Sequence, residues 1–301
     1  MFNSQKRIQI PTTTMKHTLL ICTLTILCQY GLVGQNGLAA SAGARSAGMG
    51  YTGLTYKNIH SAFTNQAGLA HLKEFGGFAA GEQRFLISEL QALAAAFAYP
   101  TSSGTFALTI NNFGFEGYSE QRFGIGYGRK LFDNLSIGGQ VLVFNTSIPE
   151  YGSRATVSFE FGLLAAISRE VDIAFQVFNP VRIEWVDGEN LPSLLKVGMA
   201  YHPSPILDLI LEVEKDIDQV ARGKVGIEYQ VADQVDLRLG ATTGPTLMTL
   251  GVGYQIADKL MLNIASSYHQ VLGFTPAAGI VYEYREKQKR NENTSRSSNF
   301  F

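Results

Sequence analysis

The sequence predicts an all-β protein, a transmembrane antiparallel β-barrel of about fourteen strands with an N-terminal hatch or plug segment. Three observations support this fold class. After Phe75, almost every segment alternates apolar and non-apolar residues. Tight turns and longer connections alternate along the chain, and an export leader precedes a mature chain that has no cysteine. A period of two is the pattern of a β-strand with one apolar face.

One hairpin motif recurs along the chain. "YQVADQVDLRL" begins at Tyr229, "YQIADKLMLNI" begins at Tyr254, and a looser version, "LFDNLSIGG", begins at Leu131. Each copy has a few strand-like residues, a turn built on one Asp, and then a strictly alternating run. Repeated antiparallel hairpins that close into a barrel leave no unpaired backbone edge, which is what a hydrocarbon environment requires.

Alternation along the chain predicts fourteen strands. They span 76–85, 90–99, 104–112, 121–131, 134–146, 155–168, 171–179, 194–202, 206–215, 222–231, 234–242, 246–256, 259–268 and 277–285. Tight turns separate some of them, and the sequence predicts longer loops at "GFEGYSE", "NTSIPEYGSR", "NPVRIEWVDGENLPS", "EKDIDQVAR" and "HQVLGFTP". Short periplasmic turns and longer external loops are typical of outer-membrane barrels.

The N-terminus is predicted to be removed before the protein folds. Residues 1–34 comprise a short extension and a signal peptide, in which a basic start at Met15 precedes an apolar run. That run is too short for a transmembrane anchor. Both cysteines, Cys22 and Cys28, lie inside this leader, so no disulfide or cysteine-bound metal is expected. The net charge of −1 gives no basic surplus for nucleic acid.

A soluble antiparallel sandwich also alternates and is the main alternative fold. The barrel is favoured because aromatic residues lie towards predicted strand ends, where a membrane interface would be, and because the non-apolar face carries glycine and mixed charges. The aromatic set is Tyr127, Phe144, Tyr201, Tyr229, Tyr254, Tyr268, Tyr282 and Tyr284. The inward charges are Asp172, Lys196, Asp208, Glu212, Glu214, Lys224, Glu228, Asp236, Arg238 and Glu283.

Residues 35–75 break the alternation and are rich in small residues. The segment is too apolar for a free linker and too short for a domain, so it is predicted to fold into the barrel mouth as a periplasmic or lumenal hatch. The barrel then spans 76–285, and a flexible periplasmic tail follows at 286–301. Glycines in "GIGYGRK", from Gly124, are predicted to face the lumen and make room for the hatch.

The stretch "GARSAGMGYTGLTY…SAFTNQAGLAHL" resembles the N-terminal signature of FadL-type outer-membrane proteins and is most similar to the PorV/PorQ branch. The matching residues are Ala44, Arg45, Gly48, Met49, Gly50, Gly53, Ala62, Phe63, Asn65, Ala67, Gly68 and Leu69. Gln66 departs from the pattern, which has proline there, and the turn rigidity of proline is therefore absent. The resemblance implies a fourteen-stranded barrel with a hatch in the outer membrane of a Gram-negative bacterium.

The resemblance also implies a function, a channel for the uptake of small hydrophobic molecules that is gated by the hatch. On this hypothesis the hatch residues that bind or shape the ligand pocket are Met49, Phe63, Asn65, Gly68 and Leu69. A side exit is predicted where the third strand would kink, at Asn111, Asn112 and Gly114, because glycine and paired asparagine suit a bulge. An ordinary strand end is the alternative at that place.

A second hypothesis is an accessory barrel of the type IX protein secretion system, as the PorV/PorQ branch provides. Its contact surface would be the "IEWVDGEN" loop with Trp185. The partners expected overall are outer-membrane lipid and lipopolysaccharide, with a hydrophobic small molecule on the first hypothesis and secretion-system proteins on the second. Nucleic acid is not expected.

No catalytic constellation is apparent, so the sequence predicts that the protein is not an enzyme and uses no cofactor or metal. The histidines after the leader are scattered without metal-ligand spacing. Ser266, His269 and Asn263 are the nearest approach to a catalytic set, but Ser266 is predicted to face lipid while the other two face inward.

Overall fold

In the computed structural model, which describes residues 42–186 and 189–283, fourteen strands form a closed antiparallel barrel, as predicted. The strands are β1 Gly76–Gln83, β2 Gln91–Thr101, β3 Gly104–Phe115, β4 Tyr118–Phe132, β5 Leu135–Ile148, β6 Gly152–Ala166, β7 Val171–Phe178, β8 Glu184–Val186, β9 Glu189–Asn190, β10 Leu194–Ser204, β11 Leu207–Asp216, β12 Arg222–Ala232, β13 Val235–Thr242, β14 Leu247–Ala257, β15 Leu260–His269 and β16 Gly273–Tyr282. β8 and β9 form a separate two-stranded hairpin, so the other fourteen strands make the barrel and β7 pairs directly with β10.

Pairing between β1 and β16 closes the barrel, with Ala79 directly opposite Ile280. Because the strand number is even, the start of β1 and the end of β16 lie at the same end of the barrel, called here the terminal end. The opposite end is called the distal end. The leader at 1–34, the tail at 286–301 and Tyr284 lie outside the described residues, as does the side chain of Trp185.

The alternation predicted from the sequence is confirmed by burial. Along β14, Met248, Leu250 and Val252 are exposed on the outer surface, whereas Thr249 and Gly251 are buried on the inner one. The other strands repeat the pattern, so large apolar side chains cover the outside and small or polar side chains face the lumen. Successive side chains of a strand point to opposite faces, which makes this separation of surfaces automatic.

The recurring hairpin motif forms a bulged turn at the terminal end. The register of β12 and β13 shifts between Gln230 and Ala232, and that of β14 and β15 shifts between Gln255 and Ala257. The looser copy shows the same irregularity near Phe132, between β4 and β5. A bulge increases the local twist and suits a strand that must turn at the rim of a barrel.

The loops at the distal end are mostly shorter than predicted, which corrects the sequence analysis. β3 and β4 are joined by residues 116–117, β5 and β6 by 149–151, and β15 and β16 by 270–272. The polar residues interpreted as loop in these segments belong instead to longer strands. The long connections at the distal end are 84–90 and 179–193.

The predicted aromatic girdle also needs one correction. Tyr201, Tyr229, Tyr254 and Tyr282 are exposed on the outer surface near the terminal end, but Phe144 is buried on the inner face. Val143, next to Phe144, is outward, so the alternation of β5 places the phenyl ring in the lumen.

Helical structure is short and lies mainly before the barrel. The α-helix α1 spans Ala44–Gly48, and 3-10 helices span η1 Ile59–Ala62, η2 Gln66–His71, η3 Arg84–Leu86 and η4 Ser88–Leu90. The side chains of Asn58 and Asn65 cap η1 and η2 by accepting from backbone N–H groups. Within residues 42–186 and 189–283, no helix has the length and apolar character needed to cross a membrane.

Closure of the barrel can be tested by cross-linking. Directly opposed residues of antiparallel strands have Cα atoms about 4.5–5.5 Å apart, which is within disulfide range. We expect the double variant Ala79→Cys, Ile280→Cys to form an intramolecular disulfide, detected as a reduction-sensitive shift on denaturing gels. The pair Ala79→Cys, Leu250→Cys is the control and should not react. An open sheet would leave both pairs unlinked.

Candidate functional site

The segment that precedes β1 occupies the barrel lumen, and its described part, residues 42–75, is called the plug. Its residues are mostly buried, and it contacts β4, β5 and β6 on one side of the lumen and β13, β14 and β15 on another. α1 packs on β14 and β15, whereas η2 packs on β4 and β5. The plug therefore spans the bore.

A belt of inward-facing glycines lets the plug backbone approach the wall. A Cβ atom added to Gly138 would lie 2.2 Å from the carbonyl carbon of Gln66, and one added to Gly240 would lie 2.1 Å from the nitrogen of Gly50. Such distances are well below van der Waals contact, so only glycine fits. The belt is Gly128, Gly138, Gly162, Gly198, Gly226, Gly240 and Gly251.

The predicted role of the "GIGYGRK" glycines holds for two of the three. Gly126 and Gly128 lie against Gln66 of the plug, at 3.4 and 2.1 Å from an added Cβ. Gly124 instead leaves room for the side chain of Gln140 on the neighbouring strand.

A buried ion network fixes α1 of the plug to the wall. Both side-chain hydrogen bonds of Arg45 go to Glu228 on β12, at 3.0 Å from Nε and 2.6 Å from Nη2. Glu228 also accepts from Arg238 on β13, whose Nη1 donates to Asn263 at 2.6 Å. One carboxylate thus lies between two guanidinium groups, an arrangement that compensates the desolvation of all three charges.

The turn after α1 is held through its backbone. The N–H groups of Gly53 and Leu54 both donate to one carboxylate oxygen of Glu212 on β11, each at 2.6 Å. The N–H of Gly50 donates to Thr249 on β14 at 2.8 Å. A carboxylate that accepts two backbone N–H groups replaces the water that an irregular segment would otherwise need.

Gln66 anchors η2 to the barrel wall. Its Nε2 donates to Glu160 on β6 at 2.6 Å and to the carbonyl of Ala62 at 3.1 Å. Gln176 donates to the same carboxylate at 3.2 Å. The side chain thus supplies by hydrogen bonding a fixation that a proline would supply by its ring.

The opposite side of the plug is apolar. Ile59, Phe63, Leu69 and Leu72 pack against Phe78 of β1 and against a wall of alanines on β2 and β3. The wall residues are Ala94, Ala96, Ala98 and Ala107. Smaller apolar contacts of the plug also lie on β10, β11, β15 and β16. The plug is therefore bound to much of the wall by hydrogen bonds and ion pairs as well, but to β1–β3 mainly by apolar contact.

His60 lies at this apolar interface. Its Nδ1 donates to the carbonyl of Ala42 at 2.9 Å, and its ring packs on Phe78 with centroids 4.7 Å apart. Burial lowers the pKa of His60 to about 3. The imidazole is therefore neutral at physiological pH and does not act as a proton switch.

The five hatch residues predicted to bind ligand are all plug core. Asn65 donates to the carbonyls of Leu54 and Leu163, and the side chain of Met49 accepts from the hydroxyl of Tyr56. Phe63 and Leu69 lie in the apolar interface, and Gly68 lies so close to Tyr56 that no Cβ would fit. Their role in ligand binding stays a prediction.

The third strand is not kinked in the structure. β3 pairs with β2 up to Phe113 and with β4 up to Phe115, and neither register shifts at Asn111 or Asn112. Gly114 has a φ of +111°, which glycine tolerates, but it stays in the ladder with β4. The side exit predicted there is not open, because both neighbouring strands remain hydrogen-bonded to β3.

A cavity of about 260 Å³ lies between the plug and the terminal end of the wall. Its lining is mostly charged or polar and includes Arg45, Lys57, Glu228, Arg238 and Glu283. None of the predicted ligand residues lines it. A pocket with balanced charges suits water and ions better than an apolar molecule.

The structure offers no metal-binding geometry among the residues it describes. No group of three or more His, Cys, Asp or Glu side chains within 42–186 and 189–283 is arranged to hold a metal ion. Asn263 and His269 are buried on the inner face, whereas the alternation of β15 places Ser266 on the outer face, as predicted.

The fold and the site together define a class of protein, a closed β-barrel whose lumen holds its own N-terminal segment. No protein-family model matches the chain, and no curated protein sequence matches it. Solved structures do match the chain in fold.

The chain is 13% identical to the Ralstonia pickettii toluene transporter TbuX, with a TM-score of 0.59 over 82% of this chain and 99% of that one. It is 10% identical to the CymD monoaromatic hydrocarbon channel, with a TM-score of 0.65 over 85% and 100%. It is 12% identical to a Pseudomonas aeruginosa FadL homologue, with a TM-score of 0.60 over 81% and 98%. These similarities show a shared fold.

Removing the central carboxylate of the ion network should release the plug. We expect Glu228→Gln to lower stability by about 3–5 kcal/mol, because Arg45 loses its charged partner inside the barrel. The measurement is the heating temperature at which the folded band disappears on gels, together with trypsin cleavage after Arg45 and Lys57.

Glu74→Gln is the control, since Glu74 forms an exposed ion pair with Lys259. That change should cost less than about 1 kcal/mol. Equal losses in the two variants would show that the network does not hold the plug.

Adding one methyl group to the glycine belt should displace the plug. Gly138→Ala and Gly240→Ala each force a Cβ onto plug backbone, so we expect higher ion conductance in planar bilayers and faster trypsin cleavage. Gly126→Ala is the matched control, because its Cβ would meet Gln66 at an ordinary 3.4 Å. Wild-type conductance in all three variants would mean that the plug does not seal the bore.

Proposed function

We propose that the protein is an outer-membrane barrel of a Gram-negative bacterium that passes small hydrophobic molecules around its plug. The observation that carries this proposal is the division of the lumen. Hydrogen bonds and ion pairs hold the plug to much of the wall, whereas the contact with β1–β3 is mainly apolar, apart from a long hydrogen bond of 3.5 Å from Tyr51 to Glu82 on β1.

Placement in a membrane follows from the outer surface. Large apolar side chains are exposed on it around the barrel, and closure of the sheet leaves no strand edge unpaired. A soluble protein rarely exposes an apolar surface of this extent. Outer-membrane lipid and lipopolysaccharide are therefore the expected surroundings.

The apolar interface is the proposed route. Contacts among Ile59, Phe63 and Phe78 are non-directional, so an apolar molecule that separates them replaces what it removes. Separation of the plug from β12 or β13 would instead expose buried charges such as Arg45 and Glu228. On this proposal the plug gates the channel by separating from β1–β3, while its hydrogen bonds and ion pairs to the rest of the wall stay in place.

The descriptions of the similar proteins support this class of ligand. TbuX is described as a toluene transporter and CymD as a monoaromatic hydrocarbon channel. We extend that class, small apolar molecules, to this chain. An accessory role in protein secretion has less support, since most distal loops are short and offer little surface to a large partner.

The proposal is tested by uptake into proteoliposomes with the plug tethered. In Phe63→Cys, Phe78→Cys, whose native rings lie 5.6 Å apart, a short bis-maleimide would bridge plug and wall. We expect the bridged protein to lose uptake of 2-ethylnaphthalene and the unbridged variant to retain it.

Val197→Cys, Val213→Cys is the control, because these directly paired residues face outward and place the bridge within the wall, away from the plug. Uptake that persists with the plug bridged would disprove gating at this interface. Wild-type uptake no faster than that of empty liposomes would disprove the transport function itself. Normal uptake with loss of secreted cargo in a deletion strain would favour the secretion alternative.

A further inference from the structure

On the distal side of the plug, the inner wall of the lumen carries two neighbouring hydrogen-bond donors that have no acceptor among the described residues. Arg122 on β4 and Asn111 on β3 are directly opposed in the ladder, and both face inward. The Nε of Arg122 and the Nδ2 of Asn111 are buried and have no partner among the described residues. A buried donor without an acceptor costs about 1–3 kcal/mol, so a fold that keeps two side by side requires an explanation.

Arg122 is weakly held for a buried guanidinium. Its hydrogen bond runs from Nη2 to Glu160 at 3.4 Å, which is long for a charged pair. Glu160 accepts shorter bonds from Gln66 and Gln176. The Nε–H of Arg122 is therefore available to a new acceptor while Nη2 keeps its contact with Glu160.

Apolar side chains surround the same place. The guanidinium carbon of Arg122 lies 5.6 Å from the ring centroid of Phe144 and 5.8 Å from that of Phe178. The two rings are edge-to-face, with centroids 6.1 Å apart, and Leu142 and Leu191 complete the cluster. Donors next to aromatic and aliphatic faces match a molecule that is mostly apolar and carries one polar atom.

The position is on the path of a molecule that enters from the distal end. β4 runs from the distal to the terminal end, and Arg122 lies two inward positions before Gly126, where the plug begins to contact this strand. A molecule would meet this cluster before the apolar interface of the plug.

The charges around Arg122 determine which kind of hydrogen-bond acceptor a ligand can present there. Glu160 already balances the charge of Arg122, and Lys196 on the neighbouring wall is paired with Glu214 at 3.7 Å. A carboxylate at Arg122 would lie close to Glu160 and be repelled in a medium of low dielectric constant. A neutral oxygen accepts the unused hydrogen bonds without adding charge.

We propose that Arg122 and Asn111, with Phe144 and Phe178, form a subsite that selects small apolar molecules carrying a neutral carbonyl oxygen, such as aromatic ketones, aldehydes or esters. This inference rests on the proposed transport function and specifies its substrate class. A pure hydrocarbon leaves both donors unpaired, and an acid introduces an uncompensated charge.

Three probes that share a naphthalene ring test the subsite. They are 2-acetylnaphthalene with a carbonyl, 2-ethylnaphthalene with no acceptor and 2-naphthoate with a negative charge. Equilibrium dialysis of the detergent-solubilised full chain, against protein-free micelles as the blank, gives the affinity for each. We expect the ketone to bind about tenfold more tightly than the hydrocarbon, and the anion to bind no more tightly than the hydrocarbon.

Arg122→Met and Asn111→Leu should each reduce the preference for the ketone to nearly one. Arg222→Met is the matched control, a lumenal arginine that donates to Gln219 and pairs with Glu214, and it should keep the preference. The folded band on unheated gels shows that each variant retains its barrel.

Equal binding of ketone and hydrocarbon by the wild type would overturn the subsite, and so would tightest binding of the anion. An unchanged preference for the ketone in both Arg122→Met and Asn111→Leu would overturn it as well. The proposed function would survive any of these results, provided that the liposomes still take up 2-ethylnaphthalene. Loss of that uptake in the wild type would overturn the function itself.

Discussion

The structure depends on the close approach of two backbones, that of the plug and that of the barrel wall. A fourteen-stranded barrel has a bore too wide for wall side chains alone to fill. Inward glycines on several strands, such as Gly138, Gly162 and Gly240, remove the layer of side chains that would separate wall from plug. The segment can then span the bore although it contains little regular helix.

This approach determines where the hydrogen bonds of the plug go. An irregular segment has many backbone groups that its own short helices cannot pair, and burial would make each of them costly. Carboxylates next to these backbone groups act as acceptors. Glu212 accepts from the N–H of Gly53 in the turn after α1, and Glu283 accepts from the N–H of Ile59. The mixed charges of the lumen therefore act mainly as partners for the plug and for one another, rather than as the lining of an ion pore.

Local pattern predicted the strands and their faces because both are properties of short segments. Period-two alternation in β7 or β13 needs no knowledge of the partner strand, and the glycines around Gly126 already indicated a close neighbour. The loops were predicted less well, since Asn145 and Thr146 look like loop residues but continue β5 beyond the apolar part. The prediction that Phe144 belongs to the aromatic girdle was wrong because it rested on a position near a strand end. The alternation of β5 determines the face instead, and it directs Phe144 into the lumen.

The partners in the lumen could not be predicted from the sequence. Arg45 and Glu228 are 183 positions apart, and Arg122 meets Phe178 only because β4, β5, β6 and β7 are neighbours in the closed sheet. Gln66 was recognised as a departure from a pattern, but its bond to Glu160 appears only when the plug is docked. Such contacts need the register of the whole barrel.

If the proposed function holds, the mostly short distal loops and the well-anchored plug together place its selectivity inside the barrel. When distal connections such as 116–117 and 149–151 only close hairpins, they cannot fold over a ligand. The cavity at the terminal end is polar and lies beyond the plug, so an apolar molecule would reach it last. On the proposed function, the lumen wall between the distal rim and the plug, together with Leu191 of the long connection 179–193, is where an apolar molecule would be recognised. There, apolar rings adjoin donors that the protein leaves unused, and such donors discriminate between molecules of equal size more strongly than apolar contact does.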